Sequence, residues 1–72
     1  MRKCITFKKK VIWVNERKSA PNSTELLMRK LEELEYNLDF RRKLKKILYI
    51  DIVNNVAVFI YADGSKLYLD VS

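Results

Sequence analysis

Apolar and polar residues follow one another in three different rhythms along this chain. Over residues 1–14, two β-branched and aromatic runs, Cys4-Ile5-Thr6-Phe7 and Val11-Ile12-Trp13-Val14, flank Lys8-Lys9-Lys10. Such runs favour extended backbone. The lysine triplet has no Gly or Asn to ease a tight turn. The pattern therefore predicts one long strand, bulged at its basic middle, in preference to two short strands around a loop. In that register Ile5, Phe7, Val11 and Trp13 share a face, Thr6, Lys8 and Lys10 lie opposite, and Trp13 is expected in the core.

Residues 15–23 are polar and contain Pro21, and are expected to form a flexible loop. Pro21 disfavours helix just before it. Asn22 with Glu25 three residues on fits a capping box, with Ser23 or Thr24 as the alternative cap. Leu27, Leu31, Leu34 and Leu38 then recur at helical spacing, flanked by Met28, with Glu32, Glu33 and Glu35 mostly turned away. After Leu38 the stripe continues through Phe40, Leu44, Ile47 and Leu48 on a neighbouring face. This predicts helix from about 23 to 46, either bent or broken near Asn37. In the broken form Asp39 would cap a short basic second helix, and Asn37 could turn left-handed.

From Ile47 the period becomes two. Asn54-Asn55 and Asp63-Gly64 separate three apolar runs, 47–53, 56–62 and 65–71. Both pairs suit two-residue hairpin turns, which predicts a three-stranded antiparallel meander. With those turns, Val53, Val56, Val58, Ile60, Ala62, Leu67, Leu69 and Val71 share the face expected to lie under the helix. Phe59, Tyr61, Lys66, Tyr68 and Asp70 fall on the opposite face, with Leu48, Ile50, Ile52 and Ala57. The expected architecture is α+β, with an N-terminal strand, one long or broken helix packed on one sheet face, and the meander, in the order β-α-β-β-β.

Length and composition narrow the function. The chain has 72 residues, enough for one small domain spanning 1–72. A domain of this size buries only about 60% of the surface its unfolded chain exposes. Oligomerisation or a bound partner would help it, so a homodimer is one expectation. One Cys and no His exclude an internal disulfide framework, an ordinary zinc site and His-centred catalysis. No apolar stretch approaches the ~20 residues of a bilayer span, and no secretory h-region precedes the first strand. A reduced, cytoplasmic protein is expected.

Catalytic candidates are few. Asp63 is explained by its turn. Asp51 and Asp70 fall on opposite faces of the expected meander, so they form no carboxylate pair. Cys4 lies near Arg2 and Lys3 but has no base at hand. A single Gly rules out a Gly-rich phosphate loop. The chain reads as non-enzymatic, with no cofactor, metal or small-molecule substrate.

The net charge of +6 is the sum of distinct blocks. Residues 1–18 carry +6, 19–36 carry −2, 37–47 carry +4 and 48–72 carry −2. The candidate binding residues are Lys8, Lys9, Lys10, Arg17 and Lys18 in the first block. In the second they are Arg41, Arg42, Lys43, Lys45 and Lys46. Clustered cations suit phosphates, because each contact releases a counterion. Nucleic acid or an acidic protein surface is the expected partner. Phe59, Tyr61 and Tyr68 would add an aromatic surface for a protein partner or for unpaired bases. The plainer readings are a lysine run that protects an edge strand and an apolar face covered by protein. Two functions follow: a nucleic-acid-binding module, or a small inhibitor or adaptor, in the style of phage or mobile-element proteins, that docks on a larger protein.

Overall fold

The computed structural model describes residues 2–17 and 22–71. The fold is α+β. Strands β1 (Arg2–Phe7) and β2 (Lys10–Glu16) precede helices α1 (Ser23–Leu34) and α2 (Leu38–Lys43) and a single 3-10 turn, Leu44–Lys46. Strands β3 (Ile47–Val53), β4 (Val56–Tyr61) and β5 (Lys66–Asp70) follow. All five strands form one sheet in chain order. Strands β2 and β3 are parallel and every other pair is antiparallel. The two helices are the crossover that a parallel pair requires.

Residues 2–16 are a hairpin, not one long strand. Lys8 and Lys9 have φ of 52° and 66°, and pairing runs from Arg2↔Asn15 to Phe7↔Lys10. Two successive left-handed residues are what the tightest hairpin turn requires. Non-glycine residues resist that conformation by roughly 1–2 kcal/mol each. Closing the turn offsets this, because it brings Ile5, Phe7, Ile12 and Val14 into the core together. The reversal also moves Val11 and Trp13 to the other face, where Trp13 is 50% exposed rather than buried.

The loop expected over 15–23 is overtaken at both ends. Asn15 and Glu16 belong to β2, Arg17 N donates to Ile52 O at 2.9 Å, and Ser23 is helical. Its middle, residues 18–21, lies outside the described residues. Asn22 precedes α1 but makes no side-chain capping hydrogen bond, so the capping box does not form. The Thr24 hydroxyl donates instead to the Glu16 carboxylate, tying the first turn of α1 to the end of β2.

The helix breaks after Leu34. Asn37 is extended (φ −91°, ψ 114°), and its Oδ1 accepts from Phe40 N at 3.1 Å. Asn37, not Asp39, is therefore the cap of α2, and it is not left-handed. The break resets the helical phase. Leu27 and Leu31 are buried, Leu38 falls off the stripe and is exposed, and Phe40 turns inward. Phe40 stands edge-on between Phe7 (centroids 6.3 Å) and Phe59 (5.7 Å), which pins α2 to β1 and β4.

Asn54 and Asn55 form the expected two-residue turn, both with positive φ. The β4–β5 turn is one residue longer than expected. Tyr61 N donates to Ser65 O at 3.0 Å, leaving Ala62, Asp63 and Gly64 as the loop, with Gly64 at φ 89°. The Asp63 carboxylate accepts from Ser65 N and Ser65 Oγ, at 2.9 and 2.6 Å, which stabilises the wider turn. One added residue rotates β5 against β4. Leu67 and Leu69 now align with Phe59 and Ala57, while Tyr68 and Asp70 align with Val58 and Val56.

The helices cover Ile50, Ile52, Ala57, Phe59 and Tyr61, not the valine-rich face they were expected to cover. Both faces are apolar enough to be buried, and the rings of Phe59 and Tyr61 offer the larger area. Neither helix covers the valine-rich face, where Val56, Val58 and Ile60 are half-buried, and among the described residues this face is the open one. Among the described residues no helix is long and apolar enough to cross a membrane.

Candidate functional site

Strand direction decides which charges meet. The β1–β2 turn, the starts of β2, β3 and β5, and the end of β4 all lie at one end of the sheet. Lys8, Lys9, Lys10, Lys45, Lys46 and Lys66 are therefore gathered there. Lys10 Nζ donates to Lys45 O at 2.9 Å, which joins the two basic blocks of the sequence directly. Lys43 Nζ sits 5.4 Å from the centre of the Tyr61 ring. Arg41 and Arg42 are exposed on α2, whose C-terminal end favours cations.

Acidic groups modulate this end without cancelling it. The Glu35 carboxylate pairs with Lys8 and draws it towards α1. Hydrogen bonds from Ser65 hold the Asp63 carboxyl below its ordinary value, and the charges of Lys43 and Lys46 add to the effect. Burial, and then the Asp63 charge, push the Tyr61 phenol above the ordinary tyrosine value.

Not every cation of the first block joins this site. Arg17 is at the opposite end of β2, with Nη2 3.9 Å from the Asp51 carboxylate. Lys3 is also spoken for, 3.3 Å from Glu16. Lys18 lies outside the described residues.

The aromatic surface changes membership. Phe59 is fully buried and Tyr61 nearly so, both on the helix-covered face and not on the open one. Tyr68, the third expected member, is 66% exposed. Trp13 and the half-buried Tyr49 take the places of the other two on the open face. Val11 and Leu48 are also exposed, Leu48 at the register shift between Ile47 and Tyr49. The sequence hid Trp13 and Tyr49 because β2 and β3 carry apolar residues at both parities. A hairpin reading of Lys8-Lys9 would have separated Trp13 from Ile5 and Phe7.

Asp51 and Asp70 prove to share the open face, because the longer β4–β5 turn rotates Asp70 onto it. They are on β3 and β5, with β4 between them and an offset of two residues along it, so about 12 Å of sheet separates them. No group of three His, Cys, Asp or Glu side chains that could hold a metal occurs among the described residues. Cys4 is an exposed free thiol paired in register with Trp13. On the helix side, a cavity of about 290 Å³ opens between α2 and β5, with Leu34, Phe40, Leu67 and Leu69 inside and Lys43 and Lys66 in its wall.

Comparison with protein-family models, with curated proteins and with solved structures finds no match to this chain.

Proposed function

We propose that this chain is a non-enzymatic nucleic-acid-binding module that holds phosphates with the basic end of its sheet. The observation that supports it most is the hydrogen bond from Lys10 to the Lys45 carbonyl, which makes one cationic surface of two basic blocks 35 residues apart. Lys8, Lys9, Lys10, Lys43, Lys45 and Lys46 supply the phosphate contacts, with Arg41 and Arg42 on the adjoining helix. Like charge gathered in this way costs stability through self-repulsion, which a polyanion relieves. Arg17 and Lys18 take no part in this proposal. A cytoplasmic location accords with the exposed free thiol of Cys4.

The test is fluorescence anisotropy with labelled DNA and RNA at rising salt. Affinity should fall linearly on a log–log plot, with a slope of about −0.7 to −0.9 per phosphate contacted. Reversing Lys9 and Lys46 together to Glu should weaken binding alike on all sequences. No binding at low salt would end this reading.

A second reading is an adaptor or inhibitor that docks on a larger protein. The exposed side chains of Val11, Trp13 and Tyr68 on the open face support it, since exposed apolar surface often marks an interface. A partner retained after nuclease treatment, and lost with Trp13→Ala, would favour it over the first.

A further inference from the structure

We infer that the ligand is single-stranded nucleic acid, with its bases lying on the open face of the sheet while its phosphates meet the basic end; this rests on the nucleic-acid reading above. The register places Cys4, Trp13, Tyr49, Ile60 and Lys66 in one row across all five strands. Trp13 and Tyr49 are direct neighbours on β2 and β3, about 4.8 Å apart at the backbone. The next row away from the basic end contains Asp51, Val58 and Tyr68. Three aromatic side chains thus stand on the face that neither helix covers, Trp13 and the half-buried Tyr49 side by side and Tyr68 across the sheet.

Order along the strands matters as much as membership. Lys9 is in the turn at the end of the sheet, Lys10 falls on the helix side of β2 with Ile12 and Val14, and Val11 and Trp13 follow on the open face. A chain whose phosphates meet the lysines reaches the aromatic row by passing over the end of the sheet, one row of residues away. Lys66 is the β5 member of that row, at the sheet edge where the helix-side cavity also opens, and the Arg2 guanidinium lies over the Trp13 ring, 5.8 Å from its centre. A base that stacks on Trp13 takes the place of this exposed guanidinium, which is then free to meet a phosphate.

Pairing state follows from the geometry. In a duplex the base faces are stacked on one another, and a broad sheet cannot reach them. Unpaired bases offer a free face to each ring, whatever their sequence. The exposed aromatics contribute only if the ligand is single-stranded.

Trp13 is the sole tryptophan, so its emission reports on this surface alone. Titrate the full chain with a single-stranded oligonucleotide and with its duplex at equal low salt, reading Trp13 fluorescence and oligonucleotide anisotropy together. The single strand should quench Trp13 and bind more tightly than the duplex. Trp13→Ala should cost roughly tenfold in single-strand affinity. Its duplex affinity and salt slope should be unchanged, and Trp13→Phe should keep most of the binding. Circular dichroism checks that both variants fold. If anisotropy rises while Trp13 is unquenched and Trp13→Ala binds as well as the parent, the inference is overturned and the phosphate-binding proposal stands. If no nucleic acid binds, both fall. A protein partner that shields Trp13 while single strands do not also overturns it.

Discussion

Lys10 Nζ donates to the main-chain oxygen of Lys45 at 2.9 Å, tying the start of β2 to the 3-10 turn that enters β3. Parallel neighbours begin at the same end of a sheet, so residues on either side of the helical crossover meet. The bond does two things. It satisfies a carbonyl in the last turn before β3, and it holds a lysine beside Lys45 and Lys46 despite their like charge. Lys10→Met keeps the side chain's apolar stem and removes its donor. At this exposed site it should cost no more than about 1 kcal/mol in urea unfolding. Its log–log salt slope for nucleic acid should fall by about 0.7 to 0.9, the share of one phosphate contact.

Lys9 stands at φ 66°. Lys9→Gly should therefore stabilise the chain, by about 1 kcal/mol, because glycine adopts this conformation freely. A glycine in the middle of one long strand would instead destabilise by a similar amount. The sign of the change in thermal unfolding separates the two arrangements.

Phe40 is 5% exposed and makes edge contacts with Phe7 and Phe59. Phe40→Ala should cost about 3–5 kcal/mol in denaturant unfolding. Leu38, two residues earlier and 64% exposed, should tolerate Ala with a change within about 0.5 kcal/mol. Equal losses at both positions would contradict the break at Asn37.

Glu16 carries acid sensitivity at the junction of β2 and α1. The hydrogen bond from Thr24 holds its carboxyl below the ordinary value of 4.5, with Lys3 adding to the effect and desolvation opposing it. The unfolded chain therefore takes up this proton at a higher pH than the folded chain does. The stabilisation is complete above 4.5 and is lost as pH falls through the lower folded value. Glu16→Gln should make the acid limb of a stability–pH curve shallower and leave the neutral region level. An acid limb as steep as the parent's would count against the Thr24–Glu16 contact.

The local devices of this fold were legible in the sequence to different depths. Leu27 and Leu31 announced the buried stripe of α1, because helical spacing admits one apolar face there. Asn54-Asn55 announced its turn, because Asn tolerates positive φ. Lys8-Lys9 did not, since lysine has no such preference and only the pairing of β1 with β2 stabilises the turn. Asp63-Gly64 marked a turn but not its length, which the Asp63–Ser65 hydrogen bonds fix. That single residue decides which side of the sheet receives Tyr68.

By itself the sequence determined the α+β class, the positions of most elements and the existence of two basic blocks. Periodicity and charge are local properties, readable without knowing what packs on what. Only the tertiary structure decided that Lys8–Lys10 join Lys45 and Lys46 while Arg17 turns to Asp51 at the other end. It alone decided that Phe59 and Tyr61 are core and Trp13 and Tyr68 are surface. The physical reason is common to both. Strands apolar on either face do not say which face a helix will cover, and charges distant in sequence do not say which strand ends will lie together.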